Sequence, residues 1–409
     1  MTASDHTATA KATILSKVRE WEPQLLTVSR TIHANPELAF EERAAAKLLG
    51  DTLREAGFET AVGVYGLDTA IEATYGSGEF VVSICAEYDA LPGVGHACGH
   101  NIIATAGVGA AIALASVADQ AGITVKLIGT PAEEHGGGKV LMLERGAWED
   151  ATISLMTHGG PGADLRCGDF SSQAVDRFDV IYEGTAAHAA AAPHRGVNAA
   201  DAATIAQVAI GLLRQQLLGS VRVAAYVAHG GDVTNIIPDR TVVSAEVRAF
   251  DLDVMNDAKR RVLACFEAGA VAAGCSWRQE RAEPRYTNLI QEPLLASAWN
   301  ESLEELGRPT VERDPNGPAG GSTDMGNVSQ VVPSIHPMIG VHGSTSAPHT
   351  VGFATDAGGP EGERAAIDGA IGLAWTAAAV ALNPESRKEL LARQAARPAG
   401  ATTVSQQDD

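Results

Sequence analysis

Four short runs in this sequence carry side chains that can hold a metal ion or move a proton. CAEYDALPGVGHACGH, from Cys85 to His100, supplies Glu87, Asp89, His96, Cys98 and His100. PAEEHGGGK supplies the adjacent Glu133 and Glu134, THGGPG supplies His158, and SAPHT supplies His349. Thiolate, imidazole and carboxylate are the donors that zinc and its neighbours prefer. One catalytic ion with an open position needs about three protein ligands. Cys98, His100, Glu134, His158 and His349, with one able to bridge, suit two ions a few ångströms apart. Two such ions can polarise a carbonyl and activate water near neutral pH. Glu133 stands beside Glu134 and is assigned to neither ion, so it can accept the proton of that water.

Each of these groups alone has an ordinary explanation. A strand-end histidine is usually structural, a single buried cysteine behaves as a small hydrophobe, and paired glutamates usually lie in a solvated turn. The elements that must position them make the coincidence informative. Phe80 to Ile84 reads as a buried strand that runs into the first motif. Thr124 to Thr130 reads as a second, ending in Glu133 and Glu134. Thr152 to Thr157 reads as a third, ending in His158. Consecutive strands thus deliver polar groups at one end of an α/β sheet, the usual location of a site in such folds.

Helices fill the intervals. Apolar residues at helical spacing predict one helix from about Ala10 to His33. A second reaches about Ala56, with Glu41 and Glu42 at its start, favourable to its dipole. The small-residue run from Ile102 to Ala118 predicts a helix packed closely on the sheet. The pattern changes near Val175. From there to about residue 288, strands and helices follow in the order β-α-β-β-α-β, the split βαβ unit. This gives a catalytic domain in two parts, 1–174 and 289–396, with an inserted domain at 175–288. A helix is expected over Pro293 to Leu306, a strand over Ser334 to Val341, and a helix over Gly362 to Leu382. The polar tail, 397–409, is expected to be disordered.

The chain has 409 residues and a net charge of −20, which disfavours binding to nucleic acid or to anionic membranes. Its five cysteines show no disulfide framework, as expected of a reducing, cytoplasmic setting. The start of the chain lacks the apolar segment of a signal peptide. The longest apolar run, Gly369 to Leu382, is too short to span a bilayer and is expected to be a buried helix.

HANPELAFEE, EYDALPGVGHACGHN, PAEEHGGGK, GTAAHAAAAPHRGVNAADAA and NIIPDR together resemble metallopeptidase family M-twenty, the group of aminoacylases, glutamate carboxypeptidases and auxin-conjugate amidohydrolases. The resemblance runs from about Val28 to Leu382. It implies a two-metal aminopeptidase-like α/β catalytic domain with an inserted ferredoxin-like (βαββαβ) lid that dimerises. By motif position it implies Cys98 as the shared ligand, with His100, Glu134, His158 and His349 completing the set. It implies Glu133 as general base, and Asp89 as the carboxylate that orients a ligand histidine. His188 of the lid would stabilise the oxyanion, often across the dimer, and Asn235 would help hold substrate. Within the family, HACGHN, LRQQ, NIIP, STDMGNVS and VVPSIHP resemble the Xaa-Arg dipeptidase branch, near the p-aminobenzoyl-glutamate hydrolases. His194 stands where that branch typically has Trp. The expectation is a homodimeric amidohydrolase or dipeptidase of small amide substrates. It would use two divalent ions, zinc first, with manganese or cobalt also suited. The rivals are an aromatic amide hydrolase and a non-catalytic binding protein on the same fold.

Overall fold

The amphipathic N-terminal stretch forms α1 (Ala3–Ala34), which buries Ile14, Val18, Leu25, Val28 and Ile32. A computed structural model describes residues 3–169, 171–314, 320–398 and 400. After α1 come α2 (Arg43–Glu55), β1 (Glu59–Val62), β2 (Ile71–Tyr75) and β3 (Phe80–Ala86). Then follow α3 (His100–Ala115), α4 (Ala118–Ala121), β4 (Ile123–Gly129), α5 (Gly138–Glu144), β5 (Ile153–Leu155) and β6 (His158–Pro161). The inserted segment contains β7 (Ala174–Glu183), α6 (Ala199–Leu213), β8 (Arg222–His229), β9 (Arg240–Ala249), α7 (Leu252–Ala273) and β10 (Ser276–Arg281). The chain ends with α8 (Pro293–Glu305), α9 (Met325–Val331), β11 (Ser334–Ile335), β12 (Met338–Val341), α10 (Val351–Ala357), α11 (Pro360–Leu382) and α12 (Pro384–Ala395).

Two units result, one of Met1–Ser171 with Leu289–Asp409 and the other of Ser172–Asn288. The first is built on a mixed sheet in the order β1-β2-β4-β3-β5-β11. Its strands β4, β3, β5 and β11 run parallel, so their carboxyl ends share one edge of the sheet. Every residue of β3 is buried, the pattern of a parallel strand covered on both faces. Helix α3 is apolar all round and buried over its whole length except its last residue. Its glycines set how closely it packs, since a Cβ on Gly107 would stand 2.9 Å from the Cys85 carbonyl oxygen. The second unit has the expected β-α-β-β-α-β order, folded as an antiparallel sheet β10-β7-β9-β8. Phe178, Val180 and Tyr182 of β7 pack with Ala203, Met255, Val262 and Phe266 of α6 and α7 in its own core.

Several expectations change. Ser334 to Val341 is two strands in different sheets, β11 in the main sheet and β12 paired with β6, because Pro337 interrupts the run. His158 does not close the third strand but opens β6. Helix α11 starts at Pro360, earlier than the apolar run suggests. Its 23 residues are long and apolar enough to cross a membrane, yet 83% of its most apolar window is buried against this unit. Helices α9, α10 and α12 have no counterpart among the expected elements. In the tail, all but Arg397, Pro398 and Gly400 lies outside the described residues, and Arg397 donates to the carbonyls of Trp148 (3.1 Å) and Ala151 (2.7 Å).

Candidate metal centre

Most of the candidate residues meet where β3 and β4 end. Beyond β3 the chain carries Glu87 and Asp89, both buried, and turns back through Gly95 to Cys98. Gly99 adopts φ +81° and caps α3, which aims His100 inward from the first turn of the helix. Beyond β4, Ala132 is held at φ +60°, a region costly for a residue with a Cβ. Glu42 stabilises that bend, accepting the Ala132 N–H at 2.9 Å, the Phe40 N–H at 2.9 Å and the Thr69 hydroxyl at 2.8 Å. The next two residues are Glu133 and Glu134. Gly138 is required here, because a Cβ would lie 1.8 Å from the Pro131 carbonyl oxygen. His349 also has φ +63° and donates its N–H to Ala97 O at 2.8 Å, which ties the SAPHT loop to the HACGH turn.

The donor atoms fall into overlapping groups, each within 4.8 Å: Cys98 with His100 and His158, Cys98 with Glu134 and His349, and Glu87 with His100 and Glu133. Cys98 belongs to both of the first two groups, so its sulfur is positioned to serve two ions. Cys98 Sγ lies 3.4 Å from His158 Nε2. His100 Nε2 lies 3.5 Å from Glu87, 3.8 Å from Glu133 and 3.9 Å from Glu134, and His349 Nε2 lies 3.7 Å from Glu134. Donors bound to one cation at about 2.0–2.3 Å stand roughly 3–4 Å apart, so these spacings fit shared ions.

The buried His100 and the half-buried His158 are both fixed for this task. His100 Nδ1 faces Asp89, at 2.8 Å from its carbonyl and 3.1 Å from Oδ1. His158 Nδ1 donates to the Gly159 carbonyl at 2.7 Å. In each case Nε2 is left for the cluster, the arrangement that outer hydrogen bonds impose on metal-binding imidazoles. Asp89 Oδ2 also accepts the Glu134 N–H at 3.0 Å. His100 Nε2, Glu87 Oε2 and Glu134 Oε1 are buried and have no hydrogen-bond partner. Such orphaned atoms facing one another are costly unless a cation lies between them.

The electrostatics agree. Burial, then the facing Glu134, pushes the Cys98 thiol well above its usual range. Burial, then Glu87 and Glu134, pushes Glu133 well above the ordinary carboxylate range. Burial acts upward on Asp89 too, but the His100 imidazole and the Glu134 N–H hold it below that range. Burial lowers His158. The buried cation Lys139 bonds Glu87 and Asp324, and against the downward effect of burial Asp89 holds the His100 imidazole well above its usual range. Divalent ions held by Cys98, His100, Glu134, His158 and His349 would supply positive charge there, and binding them would require the Cys98 thiol to lose its proton.

Other residues of the centre escape a reading of the sequence. Glu87 stands out there only as one of the acids in its run. Lys139 and Asp324 receive no assignment, although GGGK and STDMG carry them. His336 is buried and stacks on His158, with ring centroids 5.6 Å apart. The remaining candidates, His188 and Asn235, sit together in the inserted unit. The Ala189 N–H donates to Asn235 O at 3.0 Å, and both His188 and Asn235 lie on segments joined by the bridge of His188 to Ile236.

Glu42 also carries a stability prediction. Burial raises its carboxyl from 4.5 to about 7, with Asp89 adding to the rise and the hydrogen bonds opposing it. A carboxyl whose folded pKa lies above its unfolded one stabilises the fold when protonated. That contribution is complete below the unfolded value and is lost as pH rises through about 7. Glu42→Gln keeps the acceptor for Ala132 and stays neutral. It should stabilise the protein by roughly 1–3 kcal/mol at pH about 8 and by little at pH about 4.5. Urea denaturation at both pH values measures this, and equal effects at the two would refute it.

The model of peptidase family M20/M25/M40 matches residues 84–357, which span the strand-end motifs and the inserted unit. The chain is 37% identical over 387 residues to the Xaa-Arg dipeptidase of Mus musculus, covering 90% of this chain and 88% of that one. Against the Xaa-Arg dipeptidase of Homo sapiens the identity is 34% over the same shares. The crystal structure of a dinuclear metal-binding peptidase of the M20 family from Bacillus subtilis superposes with a TM-score of 0.69 at 22% identity, covering 89% of this chain and 99% of that one. With the donor groups, the fold and these likenesses in agreement, the chain belongs to peptidase family M20/M25/M40 and is a metal-dependent hydrolase of peptide or amide bonds.

Proposed function

We propose that this protein hydrolyses a dipeptide whose released residue is arginine or another cationic amino acid, at a centre of two divalent ions. The observation that carries the two-ion reading is the membership of Cys98 in two donor groups. Cys98, His100, Glu134, His158 and His349 hold the ions, zinc first, with manganese or cobalt also suited to this donor set. When bound, the ions polarise the scissile carbonyl and acidify water. Glu133 takes the proton of the attacking water and passes it to the leaving amine. Asp89 keeps His100 in the tautomer that presents Nε2. The likeness to proteins named Xaa-Arg dipeptidase supports the cationic leaving residue. A second reading, hydrolysis of p-aminobenzoyl-glutamate, is favoured by 28% identity to a p-aminobenzoyl-glutamate hydrolase component of Escherichia coli, over 69% of this chain and 62% of that one. Turnover of the metal-loaded protein on Xaa-Arg, Xaa-Lys and neutral dipeptides, N-acyl amino acids and p-aminobenzoyl-glutamate decides between the two. Preference for p-aminobenzoyl-glutamate would overturn the dipeptide reading, and absence of all turnover would return the binding-protein alternative.

His188 is assigned as the donor to the developing oxyanion. Its Nδ1 accepts the N–H groups of Ala190 (3.2 Å) and Ala191 (3.1 Å), so the neutral ring carries its proton on Nε2 and can donate it. Asn235, beside it, is assigned to substrate binding. His188→Ala should lower kcat by roughly 10²–10³ with metal content unchanged. A loss under about tenfold would remove it from the reaction. The inserted unit is assigned as lid and dimerisation domain. Its edge strand β8 leaves Tyr226 65% exposed, and α6 leaves Val208 61% and Leu212 71% exposed, apolar side chains that a second copy would cover. A monomer in analytical ultracentrifugation would refute the homodimer. All five cysteines are free thiols, which supports a cytoplasmic setting.

A further inference from the structure

Lys139 is wholly buried, with its ammonium bonded to Glu87 Oε1 and to Asp324 Oδ1, the latter at 2.7 Å. The Lys139 N–H also donates to Asp324 Oδ2 at 2.8 Å. Burying three charged side chains is expensive, and a hydrophobic trio of similar volume would serve packing at least as well. The arrangement makes sense if one member has work on its other side. Asp324 spends both oxygens on Lys139. Glu87 spends only Oε1, while Oε2 has no hydrogen-bond partner, although the residue is fully buried. That free oxygen stands 3.5 Å from His100 Nε2, which is itself unpartnered, and shares a donor group with His100 and Glu133.

We propose that Glu87 is a further ligand, giving Oε2 to the cation held by His100. The proposal rests on the metal centre put forward above. The spacing of the two orphaned atoms is that of neighbouring donors on one ion, roughly 3–4 Å. Lys139 explains how the carboxylate is held and correctly turned in a dry site, since a ligating carboxylate is itself fixed by a hydrogen bond. Asp324 in turn fixes Lys139. The ion at His100 thus receives a carboxylate from the end of β3 as well as donors from the β4 end, which would make its site the more anionic of the two.

The test is a calorimetric titration of the metal-stripped full-length protein with Zn²⁺ and with Mn²⁺. Wild type should take up two ions per chain. Glu87→Gln keeps the shape and removes the charge. It should retain one site at wild-type affinity and weaken the other by about 10–100-fold. The visible absorption of the cobalt-loaded protein should change as well, because the ligand field of that ion changes. If Glu87→Gln destabilises the fold, the triple variant Glu87→Gln/Lys139→Met/Asp324→Asn removes all three buried charges together, and the weakened site should persist in it. Wild-type affinity for both ions in either folded variant would show Glu87 to be only the counter-ion of Lys139. If wild type itself binds no divalent ion, the metal centre fails and this inference fails with it, a result distinct from a two-ion wild type with an unaffected variant.

Discussion

Glu133→Gln should lower kcat by roughly two to four orders of magnitude while leaving metal content and fold intact. The residue is 6% exposed, with a carboxylate oxygen 3.8 Å from His100 Nε2, so it borders the donor set. Its neighbour Glu134 faces His349 as well as His100 and is the better placed ligand. Burial and two nearby carboxylates already bias Glu133 towards holding a proton. A base is most useful when it can both accept a proton and give it up near the working pH. Gln has the same shape and no basicity, so the loss should fall on kcat with little change in KM. Elemental analysis and circular dichroism would confirm that the variant is folded and loaded. A kcat within about tenfold of wild type in such a variant would place the base elsewhere.

Cys98→Ala should be as damaging, by a different route. Cys98 is common to two donor groups, so removing its sulfur weakens both sites at once. Metal content should fall below two ions per chain, and activity should drop by about 10³-fold or more at ordinary metal concentrations. The thiol is held protonated by burial and by Glu134, so metal uptake must release its proton. Affinity in the wild type should therefore weaken as pH falls, and this dependence should be shallower in Cys98→Ala. Chelation should inactivate the wild type, and added Zn²⁺ or Mn²⁺ should restore it. Full metal occupancy in the alanine variant would refute the shared-ligand role.

The local patterns of this chain are strong, and they made the framework legible. A buried parallel strand reads as a mostly apolar run, and β3, interrupted only by Ser83, and β4, interrupted by Thr124 and Lys126, both do. Polar residues directly after such runs have to emerge at the carboxyl edge of the sheet, which places Glu87, Asp89, Glu133 and Glu134 on one edge from spacing alone. The inserted unit was legible for the same reason, because alternation along β9 and helical spacing along α7 are local properties.

Tertiary structure decided how those groups are partnered. Lys139 and Asp324 are 185 positions apart, and the contacts of Lys139 with Asp324 and with Glu87 depend on how α5 and the start of α9 close over the end of β3. No periodicity records that. The stacking of His336 on His158 likewise depends on the break between β11 and β12, which sends the chain from the main sheet to a separate two-stranded one. Even the role of Glu42, which in sequence looks like a helix-start acid, follows from the fold alone. Its carboxyl is enclosed by Thr69 and by Ala132, 90 positions away, and burial rather than the helix dipole sets its charge. Residue types and strand ends follow short-range rules of hydrogen bonding and hydrophobic patterning, so one sequence suffices to read them. The partner of a buried charge is chosen by the whole packed interior, where an unmatched ion is too costly to leave, and only the folded chain shows which partner that is.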